Sequence, residues 1–177
     1  MQRKLYAIVK AKDIMLTYRR SEKSEIVGYS DADFAGCVDS RKSTSGYIFT
    51  LAGGPISWKS SKQTLVASST MQAKYVACYE AVGQAVWLKN FIPGIKIIDS
   101  ISRPITMYCD NEATVLFASN NTSIGGAKHI DIKHRVVKER IQDQTIQLKH
   151  IRSKFMLADQ LKDYLLPYLG SMPKIWV

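Results

Sequence analysis

The sequence has few cysteines, few acidic residues and no long apolar run, and each shortage excludes a class of protein. Its 177 residues contain three cysteines, Cys37, Cys78 and Cys109, which lie far apart. A scattered, odd-numbered set indicates neither a disulfide framework nor a zinc site and is typical of a reducing compartment. No run reaches the roughly 18–20 apolar residues of a membrane span, and the N-terminal apolar run is too short for a secretory signal. We therefore expect an intracellular protein of the cytoplasm or nucleus, with no membrane partner.

Acidic residues are outnumbered by basic ones. The 15 Asp and Glu stand against 25 Lys and Arg, which gives a formal net charge of +10 and a pI near 9.5. This balance favours a polyanionic partner, most simply nucleic acid, although a basic surface that only aids solubility is the alternative. The length predicts one domain with a real core, and the 46% of hydrophobic residues is ordinary for a globular protein.

Apolar patterning and turn signals predict three strands, followed by alternating helices and strands. The first strand ends at Asp31 and Asp33, and Gly53-Gly54-Pro55 joins the next two into an antiparallel meander. A long helix from about Ser69 to Phe91 follows, closed by Pro93-Gly94. The remaining elements are a strand in ITMYCD, a helix in NEATVLFASNN, a basic amphipathic helix in KHIDIKHRVVKERIQDQ, a strand in TIQLKHI and a last helix in KFMLADQLKDYLL. The predicted fold class is α/β, with a mixed five-stranded sheet and helices on both faces.

Three aspartates occupy positions typical of a metal site. Asp31 ends the first strand, Asp110 ends the fourth, and Asp159 lies early in the last helix. Sites in such sheets form beyond the carboxyl ends of strands, where gathered carboxylates are the ligands that Mg²⁺ prefers. Two such ions about 3.5–4 Å apart can activate water and stabilise the leaving oxygen of a phosphodiester. From spacing alone, solvated acids that cap helices are the simpler interpretation, and Asp110-Asn111 fits a helix cap.

Seven sequence motifs occur in one order along the chain. They are GYSDADFAG, RKSTSGYIF, ISWKSSKQ, VASSTMQAKYVA, MYCDNEA, AKHIDIKHRVVKE and MLADQL. Together they resemble the ribonuclease H domain of a copia-type LTR retrotransposon polyprotein, over about residues 12–167. The resemblance implies a ribonuclease H-like domain at 25–167, a segment at 1–24 similar to the connection to reverse transcriptase, and a tail at 168–177. It also implies cleavage of the RNA strand of RNA–DNA hybrids by two Mg²⁺ (or Mn²⁺) ions held by four carboxylates.

The resemblance places three of those carboxylates on Asp31, Asp110 and Asp159. The remaining one should be a glutamate in the first turn of the long helix, in a motif similar to Ser-Thr-x-Glu-Ala-Glu-Tyr. Here the stretch reads TMQAKY, so that the catalytic glutamate falls on Lys74 and the other glutamate on Gln72. The residues after Asp159 have drifted as well, because QLKDYL stands where family members tend to read Pro-Leu-Thr-Lys.

Lysine reverses the charge that a bridging glutamate would bring to two divalent ions. Two unit charges about 4 Å apart interact by about 4 kcal/mol at an effective dielectric constant of ~20, and a dication doubles this. We predict that the Lys74 ammonium lies among Asp31, Asp110 and Asp159, so that an internal ion pair replaces the metal and Mg²⁺ binding is weakened or lost. The alternative is that Lys74 turns to solvent on its flexible stem. Glu80, six positions later, lies on a different face of the helix and is no substitute.

Basic and polar side chains near the predicted meander are candidates for contacts with nucleic-acid phosphates. The set is Arg41, Lys42, Ser43, Thr44, Lys59, Lys62 and Asn111. Residues 128–154 add eight Lys or Arg against three acids. This basic stripe either tracks a nucleic-acid backbone or is a solvated helix face, and the sequence leaves both open.

Histidines and large aromatic residues add little chemistry. His129 and His134 are five positions apart and do not share a helix face, so we expect no metal pair. His150 is a candidate counterpart of a mobile histidine in related enzymes, although the end of a strand is the simpler interpretation. Three aromatic residues are assigned to the core rather than to base stacking: Trp58, Trp87 and Tyr75.

Three functions are compatible with these features. The leading prediction is a retrotransposon-derived ribonuclease H-like protein that is catalytically impaired and retains binding to RNA–DNA hybrid or double-stranded nucleic acid. The first alternative is an active Mg²⁺-dependent ribonuclease H that uses Asp31, Asp110 and Asp159 with a fourth ligand. The second is a domesticated module in which the fold serves protein contacts.

Overall fold

A computed structural model describes residues 25–94, 103–120 and 128–159. Four predicted segments lie outside the described residues, wholly or in part. They are the segment 1–24, the loop around residues 121–127, the last helix beyond residue 159, and the tail. None of the helices within the described ranges is long and apolar enough to cross a membrane.

The first three strands form the predicted antiparallel meander. They are β1 (Ile26–Asp33), β2 (Thr44–Leu51) and β3 (Gly54–Lys62). Ala52 and Gly53 connect β2 to β3 with φ values of 51° and 80°. Positive φ at both central residues suits a two-residue hairpin, because it matches the twist of the flanking strands. Close packing of β1 on β2 also requires a glycine, since a Cβ at Gly28 would lie 2.6 Å from Phe49 Cε1.

Two further strands complete the predicted mixed sheet, and helices precede and separate them along the chain. The elements are α1 (Thr70–Gly94), β4 (Ile105–Cys109), α2 (Glu112–Ser119), α3 (Lys128–Gln142), β5 (Ile146–His150) and a short 3₁₀ helix (Ser153–Phe155). The strand order is β3-β2-β1-β4-β5, with β4 parallel to both β1 and β5. The carboxyl ends of β1, β4 and β5 therefore meet at one edge of the sheet.

Two clusters of buried residues cover the two faces of the sheet. On one face, α1 approaches the strands closely because small residues recur on it at intervals of four: Ala73, Ala77, Ala81 and Ala85, all fully buried. α2 and α3 pack on the same side through Ala118 and Val137. On the other face, Met156 and Ala158 pack against Ile48 of β2. The predicted α/β class with a mixed five-stranded sheet is confirmed, and of the last helix predicted here the structure describes only residues up to 159.

Candidate functional site

Three charged side chains meet at the end of the sheet where β1 and β4 terminate. Lys74 lies in the second turn of α1, and its Nζ is 2.9 Å from Asp31 Oδ1 and 2.5 Å from Asp110 Oδ1. The side chains of Lys74, Asp31 and Asp110 are only 14%, 3% and 9% exposed. The ammonium thus bridges two largely buried carboxylates, and Lys74 does not turn to solvent.

The charged state of Lys74 is favoured within this cluster. Burial alone would lower the pKa of Lys74, but the hydrogen bonds and charges of Asp110 and Asp31 outweigh it and raise that pKa above its usual value. Lys74 is therefore an ammonium at neutral pH. It compensates one of the two aspartate charges and leaves the other uncompensated within the trio.

The second oxygen of Asp110 also has a partner within the chain. Ser153 Oγ donates a hydrogen bond to Asp110 Oδ2 at 3.0 Å. The loop after β5 is held here by its backbone as well, because Ile151 N donates to Cys109 O at 3.0 Å. Sequence reasoning pointed to His150, which is exposed, and missed Ser153. No local motif marks Ser153, since its partner is 43 residues away.

Gln72 lies at the start of α1 and is engaged with the residues before the helix. Its backbone N–H donates to Ser69 Oγ at 3.1 Å, while its side-chain Oε1 accepts hydrogen bonds from the backbone N–H and the hydroxyl of Ser68. This is close to the reciprocal capping arrangement of a Ser-x-x-Glu/Gln sequence. A glutamine serves that role as well as a glutamate, so the two departures from the family motif are not equivalent. Only Lys74 changes the charge beside Asp31 and Asp110.

Comparison with known proteins identifies the family of this chain. No protein-family model matches the chain. Over 134 residues, 76% of its length, it is 36% identical to a retrovirus-related Pol polyprotein from transposon TNT 1-94 of Nicotiana tabacum. It is 33% identical over 133 residues to the Pol polyprotein from transposon RE1 of Arabidopsis thaliana. The chain is a homologue of retrotransposon Pol polyproteins. It spans about a tenth of their length, at 10% and 9% respectively.

Solved structures identify the fold of this Pol homologue. The crystal structure of LC11-RNase H1 in complex with RNA/DNA hybrid aligns with a TM-score of 0.56, over 78% of this chain and 94% of that one. The two sequences are only 17% identical, so the likeness is one of fold. The ribonuclease H-like fold and the retrotransposon resemblance are both confirmed.

Ribonuclease H-like folds typically use Mg²⁺, but the residues present here do not fit a divalent cation between Asp31 and Asp110. Mg²⁺ requires oxygen ligands at about 2.0–2.1 Å in near-ideal octahedral geometry. The like-charged Lys74 ammonium already lies within hydrogen-bond distance of the inner oxygens of both aspartates. Throughout the described part of the chain, no three His, Cys, Asp or Glu side chains converge in a group able to hold a metal ion.

Neither of two neighbouring acids takes the place of the missing glutamate. Asp33 shares a face of β1 with Asp31 because strand side chains alternate, but it is exposed and its carboxylate folds over Gly36. Glu80 Oε2 faces Lys59 Nζ at 3.9 Å. Burial raises the pKa of Glu80, against the opposing charges of Lys59 and Lys133. Asp33 is therefore turned outward at the surface, and Glu80 faces Lys59.

The third predicted metal ligand, Asp159, lies at the surface. It lies in a helical stretch that includes residues 157–159, directly after the buried Ala158. Its neighbours anchor this turn on the sheet face that carries Ile48. Its assignment as a family carboxylate stays a prediction.

Two of the candidate phosphate contacts, Ser43 and Asn111, hold backbone N–H groups through their side-chain oxygens. Ser43 is fully buried, and its Oγ accepts a hydrogen bond from Ala35 N at 3.1 Å, which ties down the β1–β2 loop. Asn111 caps α2, since its Oδ1 accepts from Thr114 N at 2.8 Å and from Thr114 Oγ1 at 3.1 Å. Of the other candidates, Arg41 is exposed, and Lys42 and Thr44 are half-buried.

Lys62 is exposed but contacts a thiol. Its Nζ donates to Cys37 Sγ at 3.2 Å. Hydrogen bonds from Ser40, assisted by Lys62, lower the pKa of Cys37 to about 6, so the thiolate is populated at neutral pH. A phosphate would therefore compete with Cys37 for this ammonium.

The structure corrects the assignment of two tryptophans. Trp58 and Trp87 are 42% and 43% exposed, so the prediction that they belong to the core is wrong. Trp58 lies on β3, an edge strand, and Trp87 stacks on Phe91 at the outer side of α1, with ring centroids 4.5 Å apart. Tyr75, in contrast, is fully buried as predicted.

Replacing the α2 cap should cost stability without touching the ion pair. Asn111→Ala removes the oxygen that accepts from Thr114 N, so we expect a loss of about 1 kcal/mol in the free energy of unfolding. Asn111→Asp keeps an acceptor and should lose far less. Urea denaturation of both variants tests this, and equal losses would show that the cap is not what Asn111 contributes.

Proposed function

We propose that this Pol homologue is a catalytically impaired ribonuclease H-like protein that binds RNA–DNA hybrid, or duplex nucleic acid of similar shape, without a metal ion. The observation that carries the proposal is the Lys74 ammonium between Asp31 and Asp110. It occupies the place where the family resemblance calls for a metal-bridging glutamate and two divalent cations.

Impaired cleavage is supported by charge and by ligand count. Two-metal hydrolysis needs anions that hold paired cations against their mutual repulsion. Here one of the four expected carboxylates is a cation, and Ser153 engages the outer oxygen of Asp110. The Lys74 ammonium performs one task of the metal, because it neutralises carboxylate charge, but it cannot generate a hydroxide nucleophile.

Retained binding is supported by the overall charge and by the fold. The net charge of +10 attracts a polyanion over long distances. LC11-RNase H1, which has the same fold, was crystallised with an RNA/DNA hybrid. Binding of hybrid backbone by shape needs no base-specific contacts. None of the three cysteines forms a disulfide bond, which supports the proposal that the protein acts in the cytoplasm or nucleus.

Binding and cleavage of a fluorescently labelled RNA–DNA hybrid test the proposal. We expect equal affinity in EDTA and in Mg²⁺, a steep loss of affinity as salt rises, and intact RNA after incubation with Mg²⁺ or Mn²⁺. Single-stranded RNA of the same sequence is the matched control ligand. EDTA-sensitive cleavage would support an active ribonuclease H instead. Absence of binding at low salt would support a protein-interaction module.

A further inference from the structure

The basic stripe of residues 128–154 divides into two halves that differ in their contacts. On α3, Arg135 Nε lies 2.9 Å from Glu139, and Arg140 NH1 lies 3.0 Å from Asp143 just beyond the helix. Lys133 Nζ lies 4.1 Å from the centre of the Tyr79 ring. These cations already have partners, and a phosphate would have to compete for them.

The second half of the stripe has no acidic partner among the described residues. Lys149, Arg152 and Lys154 are exposed, and none of them forms an ion pair with another described residue. Lys149 lies on β5, an edge strand of the sheet, and the other two lie in the loop after it. Lys154 Nζ lies 4.9 Å from the centre of the Phe155 ring, which restrains its side chain. Because these cations have no ion pair with a described residue to give up, they can bind phosphates without losing an existing contact of that kind.

The loop that carries Arg152 and Lys154 is fastened to the ion pair of the candidate site. Ser153, between them, donates to Asp110 Oδ2, while the inner oxygen of Asp110 contacts Lys74. Met156, directly after the 3₁₀ helix, is buried on the sheet. The loop is thus held at its middle and at its end, which lowers the ordering cost of placing two cations on a ligand.

We propose that Lys149, Arg152 and Lys154, here termed the β5 rim, form the principal surface that binds the nucleic-acid phosphate backbone, with Ser153 as its positioning residue. This inference rests on the proposed function and adds where the backbone is bound. The rim borders Asp110, so a backbone bound there lies beside the Lys74 pair.

Two double variants of equal charge separate the β5 rim from general electrostatics. Arg152→Ala/Lys154→Ala and Arg135→Ala/Arg140→Ala each remove two positive charges. Among the described residues, only the second pair has acidic partners. With a labelled RNA–DNA hybrid, we expect the first variant to bind at least about tenfold more weakly. Its plot of log affinity against log salt concentration should become less steep by about 2, because each of the two lost phosphate contacts contributes roughly 0.9. The second variant should lose less than about threefold, with its slope nearly unchanged.

Ser153 requires a different readout because its proposed role is to position the loop and not to contact a phosphate. Ser153→Ala should weaken hybrid binding several-fold at an unchanged salt slope, since the number of phosphate contacts stays the same while the loop is released. Ser153→Thr keeps the hydroxyl and should restore affinity. Thermal melts of every variant serve as the control for correct folding.

The outcomes distinguish failure of this inference from failure of the proposed function. Equal losses in the two double variants, with the wild-type protein binding hybrid, would overturn the β5 rim and leave the proposed function standing. A Ser153→Ala variant that binds like wild type would remove its positioning role. If the wild-type protein does not bind hybrid at low salt, the proposed function itself is wrong.

Discussion

Lys74→Glu should turn this protein into a Mg²⁺ binder that cleaves the RNA strand of a hybrid. The substitution replaces the ammonium that contacts Asp31 and Asp110 with the carboxylate that the family resemblance implies at this position. It restores a ligand and removes a repulsive charge in one step. Gln72 need not change, because its side chain caps the start of α1 and does not contact the two aspartates.

The expected effect on metal binding is large. A unit charge about 4 Å from a dication contributes about 8 kcal/mol at an effective dielectric constant of ~20. Even a third of that figure changes the metal dissociation constant about a hundredfold. Without metal, the variant gathers three carboxylates, so it should melt at a lower temperature than wild type. Saturating Mg²⁺ should then raise its melting temperature by mass action.

Gln72→Glu is the matched control for this experiment. It adds the same acid two residues earlier, and we expect neither a Mg²⁺-dependent rise in melting temperature nor cleavage. A labelled-hybrid gel with Mg²⁺, Mn²⁺ and EDTA provides the second readout. A folded Lys74→Glu variant that ignores Mg²⁺ in both assays would contradict the view that Lys74 is what excludes the metal.

Lys74→Met should cause the largest loss of stability of any single change at this site. It keeps the apolar stem and removes the ammonium, which leaves Asp31 and Asp110 buried beside each other without their cation. Breaking a buried ion pair from one side costs about 3–5 kcal/mol. Lys59→Met is the control, because Lys59 is half exposed and 3.9 Å from Glu80, and such surface pairs contribute about 1 kcal/mol or less.

The stability difference between wild type and Lys74→Met should depend on pH in the alkaline range. The pKa of Lys74 is raised in the folded protein, so its contribution is complete below the unfolded lysine value of about 10.4. It is lost as pH rises through the folded value. Urea denaturation should give a constant difference from pH 7 to about 10 and a smaller one above. A difference under about 1 kcal/mol at pH 7 would mean that the contact contributes little.

Much of the fold could be predicted because its signals are local. Gly53-Gly54-Pro55 marked the β2–β3 turn, and the structure shows positive φ at Ala52 and Gly53. A mixed sheet also followed from the alternation of helices and strands, whereas the structure adds that β4 pairs parallel with β1, which brings Asp31 and Asp110 to the same end of the sheet. The reach of Lys74 to both carboxylates depends on how closely α1 approaches the sheet, and its alanines set that distance.

Other features could not be predicted because they depend on distant partners or on the position of an element in the sheet. The contact of Ser153 with Asp110 joins two loops that are 43 residues apart. Trp58 is exposed because β3 is an edge strand, which its own sequence does not show. The capping role of Gln72 was recognisable in principle, since Ser69-x-x-Gln72 is a helix-start signature.

We infer that the Lys74 ammonium takes the place of divalent metal between Asp31 and Asp110. A crystal of the wild-type protein soaked in Mn²⁺, with anomalous diffraction measured, tests it most directly. We expect Lys74 Nζ within hydrogen-bond distance of both carboxylates and no anomalous peak between them. Two peaks bridged by Asp31 and Asp110, with Lys74 displaced, would contradict the account.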